Sequence, residues 1–200
     1  MCIQTIYIRK YQQEVPCGKC YECVKRRRND WYIRCLIQSM DSNHTYFGLL
    51  TYAEVGQKLE KRDVQLFLKR LRSYGVKLSY LIAGEHGEQK DRPHWHCLFF
   101  SNEPINFAYI AKAWRGGYET DEGRNKAGWI RFEPIRSNKS IRYTVKYLYK
   151  YDGKDPPVLI TNIKESRDRQ KLFKASGILP EQSNCGFHNT WPKDGYATLL

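Results

Sequence analysis

Residues 92–100 read Arg92-Pro93-His94-Trp95-His96-Cys97-Leu98-Phe99-Phe100. The aromatic and apolar run that follows the histidines marks a β-strand. Alternate side chains of a strand share a face, so His94 and His96 point one way while Trp95 and Cys97 point the other. Two imidazoles side by side on a sheet face, with a carboxylate nearby, are half of a divalent-metal site. The same spacing also occurs on a merely solvated strand face. Three of the five histidines (His86, His94 and His96) fall within this short region.

Working outward, strand-like and helix-like segments alternate. Tyr46 to Tyr52 is a central strand by its aromatic and apolar content. Asp63 reads as an N-cap, and Val64, Phe67, Leu68 and Leu71 recur at helical spacing until Gly75 stops the helix. Lys77 to Ala83 reads as a strand, and Gly84 to Asp91 as the hairpin loop that leads into the histidine strand. Further helices are expected over residues 21–40, with Trp31, Leu36 and Met40 among the apolar positions, over 105–114, and from Lys139 to Tyr151. Arg115 to Gly128 reads as a loop and Trp129 to Glu133 as a strand. Residues 152–200 are polar and punctuated by Gly and Pro, with a further helix over 165–174. This pattern implies an α+β fold, a central antiparallel sheet flanked by helices.

The 200 residues include 34 Lys and Arg against 21 Asp and Glu, a formal net charge of +13. A polyanion is the natural partner of such a surface, and 15 Tyr, 8 Phe and 5 Trp supply rings for stacking on unpaired bases. No apolar run approaches the roughly 20 residues of a spanning helix. The N-terminus lacks a signal-peptide pattern, so the chain is expected to be soluble and intracellular with no membrane partner. Of the seven cysteines, Cys17, Cys20 and Cys23 are clustered. Disulfides between such close positions are geometrically awkward, whereas a Cys-x-x-Cys turn presents both sulfurs to one zinc. Cys35 falls mid-helix, as a fourth ligand or a small buried apolar residue. Arg26, Arg27 and Arg28 face phosphate or solvent.

In Tyr143-Thr144-Val145-Lys146-Tyr147-Leu148-Tyr149-Lys150-Tyr151, Tyr143 and Tyr147 share a helix face, and each is followed three residues later by Lys146 or Lys150. As an isolated segment this is an amphipathic helix with packed tyrosines and solvated lysines. In a basic, ring-rich chain with paired histidines, a phenol becomes a candidate nucleophile that needs an electrophile and activation. A phosphodiester polarised by a divalent cation supplies the one, and a neighbouring lysine can stabilise charge or manage the leaving-group proton.

Four places together resemble the replication initiator proteins of small single-stranded DNA phages (microviruses, gokushovirus-like) in the HUH endonuclease superfamily. They are Val15-Pro16-Cys17-Gly18-Lys19-Cys20 with Cys23 and Arg26; Leu49-Leu50-Thr51-Tyr52; Gly84-Glu85-His86-Gly87 leading to Arg92-Pro93-His94-Trp95-His96; and Tyr143 to Lys150. The resemblance covers roughly residues 2–151 and rests on the order and spacing of these motifs.

It implies an HUH core, RRM-like, over 41–151, a Cys-rich zinc segment and basic helix over 1–40, and a C-terminal extension over 152–200. It further implies rolling-circle initiation. His94, His96 and Glu85 would bind Mg²⁺ or Mn²⁺, with His86, Glu88 and Asp91 left to the loop or to DNA. Tyr143 and Tyr147 would attack the scissile phosphate of origin DNA, with Lys146 and Lys150 as helpers and Tyr149 and Tyr151 as packing residues. Cys2, Cys17, Cys20 and Cys23 would hold structural Zn²⁺, and Arg26, Arg27, Arg28 and Arg92 would contact DNA. The expected setting is the cytoplasm of a bacterial host. The host polymerase would extend the free 3′-OH and, as no Walker motif is present, a host helicase would unwind. Two other classes compete: a non-catalytic nucleic-acid-binding module with structural histidines, and an HUH-type single-strand transposase. The cysteine motif and the double tyrosine favour the initiator over the transposase.

Overall fold

The histidine segment is a nine-residue strand, β5 (Pro93–Ser101). It is the middle strand of a five-stranded antiparallel sheet ordered β6-β3-β5-β4-β7. Here β3 is His44–Tyr52, β4 Ser79–His86, β6 Ala127–Pro134 and β7 Val158–Thr161. This computed structural model describes residues 2–54, 56–87, 92–116, 127–148 and 158–164. Among them lie four α-helices, α1 (Tyr21–Met40), α2 (Lys61–Ser73), α3 (Phe107–Arg115) and α4 (Asn138–Tyr147). A small N-terminal hairpin pairs β1 (Thr5–Ile8) with β2 (Gln13–Pro16). Residues Met1–Ser166 form one compact unit, and a second unit, Arg167–Leu200, lies outside the described residues.

The pleat sorts the strands into two faces. Trp95, Cys97 and Phe99 of β5 join Leu50 and Tyr52 of β3 against Val64, Phe67, Leu68 and Leu71 of α2 and Ile110, Ala113 and Trp114 of α3. Cys97 therefore faces away from the histidines, as its position in the alternation requires. The other face carries His94, His96, Leu98 and Phe100, and register aligns Thr51 and Leu49 of β3 and Glu85 and Ala83 of β4 with the two histidines. That face is covered by α4, with α1 beside it: Tyr143 packs its ring on Phe47, Ser39 meets Thr45 at 2.9 Å, and the Arg142 guanidinium lies 4.9 Å from the Tyr32 ring. At Gly48 a side chain would collide with the ring of Phe132 on β6, so only glycine lets that ring lie across β3.

Several local expectations change. The helix over Lys61–Ser73 starts before Asp63, which is not its cap. Asp63 is buried and accepts the Tyr52 hydroxyl at 2.8 Å, while that oxygen accepts Trp95 Nε1 at 3.2 Å. Desolvation by burial raises the Tyr52 phenol well above its ordinary range and keeps it a donor. The network braces Trp95, between the two histidines, from the opposite face. Asp63→Ala is expected to cost about 1–3 kcal/mol, the penalty for stranding a buried donor. Urea unfolding measures this, and an unchanged midpoint would show that the network adds no stability.

β4 begins at Ser79 rather than Lys77 and continues to His86, so Glu85 is a strand residue opposite His94 and not part of a loop. β6 begins at Ala127, inside the segment read as loop. Met40 is exposed, and the buried positions of α1 are Cys23, Tyr32, Ile33, Cys35 and Leu36. The β1–β2 hairpin and β7 add to the expected elements. Val158-Leu159-Ile160-Thr161 is a run of β-formers after Pro156-Pro157, a signal outweighed by the polar composition around it. The expected helix over 165–174 lies outside the described residues.

Candidate metal and nucleophile site

Strand register brings His94, His96 and Glu85 to one point. His94 Nε2 and His96 Nε2 are 3.1 Å apart, and Glu85 Oε2 lies 3.3 Å from the first and 3.1 Å from the second. His96 is only 3% exposed and His94 17%, so the cluster opens to solvent on the His94 side. The Arg92 carbonyl sits 3.0 Å from His94 Nδ1 and also accepts the Gly87 N–H at 3.0 Å, closing the hairpin. With Nδ1–H donating there, the neutral His94 ring directs its Nε2 lone pair into the cluster. That lone pair then faces a carboxylate oxygen, and two such acceptors repel unless a cation or proton lies between them. Neighbouring ligands on an octahedral cation with bonds of about 2.1 Å are about 3 Å apart. The three side chains could therefore hold a metal ion.

Helix α4 supplies the phenols. The Tyr147 ring stacks on His96, with centroids 3.9 Å apart and planes 6° from parallel. Tyr143 meets His96 edge-on at 5.7 Å and Tyr147 at 5.0 Å. The four-residue spacing thus puts both rings on one helix face, directed at the histidine end of the sheet. Lys146 Nζ lies 5.7 Å from the Tyr147 ring centroid. Lys150, Tyr149 and Tyr151 lie outside the described residues, as do Glu88 and Asp91. His86 follows Glu85 and points to the other face by alternation.

The cysteines form a second cluster. Ligand sulfurs of Cys2, Cys17, Cys20 and Cys23 all lie within 4.8 Å of one another. Cys20 and Cys2 are 3.8 Å apart and Cys17 and Cys23 4.0 Å, close to the roughly 3.8 Å of a tetrahedral thiolate site with 2.3 Å bonds. Gly18, at φ +75°, turns the chain so that the Lys19 and Cys20 N–H groups both point at Cys17 Sγ. The Cys17 N–H donates to Cys2 Sγ at 3.3 Å. Backbone hydrogen bonding at Ile3, then at Cys23, lowers the Cys20 thiol to about 6. Hydrogen bonding at Cys17 lowers Cys2, whereas desolvation by burial raises Cys23 to about 11. Cys35 and Cys97 are fully buried, where desolvation raises each thiol. In metal-stripped protein Cys20 is therefore expected to react first with iodoacetamide. Its lowered pKa keeps it thiolate at neutral pH, and the reactivity is lost as pH falls through about 6. Peptide mapping after brief alkylation tests this, and preferential labelling of Cys23 would contradict it.

Of the basic residues, Arg27 donates to the Gly18 carbonyl at 3.3 Å, bracing the cysteine turn, while Arg26 is exposed and Arg28 and Arg92 are partly buried. Two contributors escape a reading of side-chain patterns. Phe47 packs its ring 6.3 Å from His96 and 6.1 Å from Tyr143, forming the floor between them. Arg92 attracts notice for its guanidinium, yet its carbonyl is what orients His94. Phe47 lies in the strand expected from sequence, but only the register with Leu98 reveals its neighbours.

Among the described residues, no helix is long and apolar enough to cross a membrane. Residues 45–154 match the family model of replication-associated protein ORF2, a span that includes both histidines, Glu85 and both α4 tyrosines. The chain is 30% identical over 122 residues to the replication-associated protein ORF4 of Chlamydia phage 1, covering 57% of this chain and 31% of that protein. It is 24% identical over 198 residues to the replication-associated protein ORF2 of Spiroplasma virus 4, covering 82% and 61%. It is 33% identical over 101 residues to the replication-associated protein VP4 of Bdellovibrio phage phiMH2K, covering 44% and 32%. The chain thus spans from about a third to three-fifths of the length of these microvirus relatives. With more than half its length matched by the family model, and with fold and motifs in agreement, the chain belongs to the family of replication-associated protein ORF2.

Proposed function

We propose that this chain initiates rolling-circle replication of a phage genome by nicking and rejoining single-stranded origin DNA through a 5′-phosphotyrosyl intermediate. The observation that carries the reading is the stack of Tyr147 on His96, with Tyr143 against both, which puts two phenols beside an acceptor triad of two imidazoles and a carboxylate. His94, His96 and Glu85 would hold Mg²⁺ or Mn²⁺, which when bound polarises a phosphodiester and offsets charge in the transition state.

The remaining work falls to the chain's own side chains. The Arg92 carbonyl orients the His94 ring. Phe47 and His96 hold the tyrosine rings. A phenolic oxygen of Tyr143 or Tyr147 attacks phosphorus, the new bond to tyrosine forms as the P–O3′ bond breaks, and the phenolic proton is lost as the 3′ oxygen gains one. Lys146 and Lys150 are the assigned helpers, stabilising negative charge and supplying the leaving-group proton. Attack by a 3′-OH on the phosphotyrosine reverses these steps and closes a circle, and the second tyrosine allows one DNA end to be held while another is cut.

Residues 41–151 carry this chemistry in the proposal. Residues 1–40 hold structural Zn²⁺ on Cys2, Cys17, Cys20 and Cys23, beside a basic helix whose Arg26, Arg27 and Arg28, with Arg92, contact DNA. A host polymerase and helicase in the bacterial cytoplasm complete the cycle, and residues 152–200 form a C-terminal extension.

The direct test is to incubate the protein with labelled single-stranded origin DNA and Mn²⁺, then denature and resolve the products. A labelled band at protein mass that needs added metal is expected. Retention of DNA that is lost completely on denaturation would replace this reading with that of a binding module.

A further inference from the structure

The β1–β2 hairpin and the first turns of α1 expose an unusual combination of side chains. Tyr7, Tyr11 and Tyr21 are 58%, 66% and 68% exposed, and Ile3 and Ile6 are exposed beside them. Residues 2–28 carry seven Lys and Arg against only Glu14 and Glu22. Two of the rings already have an ammonium partner: Lys10 Nζ lies 5.4 Å from the Tyr11 centroid and Lys25 Nζ 5.8 Å from that of Tyr21. An open groove of about 710 Å³, lined by Gln4, Thr5, Ile6, Cys17, Lys19 and Cys20, runs between the hairpin and the cysteine turn. Pockets that take a small ligand measure roughly 300–1,000 Å³.

From this juxtaposition we propose that the N-terminal hairpin and the start of α1 form a second contact surface for single-stranded DNA, built from residues that take no part in the histidine site. Exposed rings lose little by being covered, and every unpaired base offers a π-face to stack on them. A duplex keeps those faces stacked internally, so the rings favour a single strand. The lysines beside Tyr11 and Tyr21 meet the phosphates that accompany stacked bases, and the surplus of positive charge suits a polyanion over an apolar protein partner. The cysteine cluster ties the hairpin to α1, which makes the surface rigid enough to hold a strand. This inference shares with the proposed function only the assumption that the chain meets single-stranded DNA.

The test measures binding of a fluorescein-labelled twenty-nucleotide oligothymidylate, and of a duplex of equal length, by anisotropy without added divalent metal. The full chain is compared with two triple variants. Tyr7→Ala/Tyr11→Ala/Tyr21→Ala is expected to weaken oligothymidylate binding about tenfold or more, with duplex binding and salt dependence unchanged. Lys10→Ala/Lys19→Ala/Lys25→Ala should lower the slope of log K against log salt by about 2. Unchanged circular dichroism and zinc content establish that both variants are folded. Unaltered oligothymidylate affinity in the ring variant, or an equal loss on duplex, overturns the proposal. The adduct assay separates this result from the cleavage reading: adduct with no loss of affinity defeats the hairpin surface alone, and loss of affinity with no adduct defeats the cleavage reading alone.

Discussion

A protein carrying Tyr143→Phe and Tyr147→Phe together is expected to form no covalent adduct with single-stranded DNA, while folding and binding DNA as before. Phenylalanine keeps the ring, so the stack on His96 and the edge contacts with Phe47 survive, and only the nucleophilic oxygens are lost. Removing the nucleophile of a covalent mechanism abolishes the intermediate rather than slowing it. The single variants should behave differently. Each retains one phenol beside the triad, so each should still give some adduct, within about tenfold of the parent, yet fail in transfer from one tyrosine to the other. The measurement is adduct yield on a denaturing gel with labelled DNA. Undiminished adduct in the double variant would remove α4 from the chemistry.

His96→Ala or His94→Ala should reduce metal-dependent adduct by about 100-fold or more, the scale of several kcal/mol of charge stabilisation. Binding of uncleaved DNA without metal should stay within about twofold, because charge on phosphate contacts dominates affinity. His96 is the more demanding position, being buried and in contact with Glu85 and both tyrosine rings. Its replacement also removes the surface on which Tyr147 rests. Glu85→Gln separates the two roles, since it keeps the shape and removes the charge. It should weaken Mn²⁺ binding, read by titration calorimetry or by the signal of free Mn²⁺ in paramagnetic resonance, with Tyr147 packing intact. If all three variants bind Mn²⁺ as the parent does, the triad is not the metal site.

Much of this arrangement is legible in the residues. The His-x-His alternation fixes which side chains share a face, and the central sheet shows His94 and His96 on one side with Trp95 and Cys97 on the other. The four-residue spacing of Tyr143 and Tyr147 likewise fixes a shared helix face. What the residues leave open is register and long-range pairing. Glu85 enters the triad through family resemblance, and its placement opposite His94 depends on pairing that carries β4 to His86. The N-terminal hairpin escapes a periodicity reading because both its strands are largely exposed and show no alternation. Asp63 resembles a cap because a short acid before an apolar run usually is one, whereas here it answers a phenol on β3. Phe47 takes its importance from neighbours distant in sequence, as does the Arg92 carbonyl from backbone geometry that no side-chain pattern encodes.

The most direct test of the central claim is mass spectrometric mapping of the DNA-linked peptide after reaction with single-stranded origin DNA and Mn²⁺ and nuclease trimming. The account predicts a nucleotide 5′-phosphate attached to Tyr143 or Tyr147 within the α4 peptide. A modified residue elsewhere, or a cleaved strand with no nucleotide attached to the protein, would contradict it.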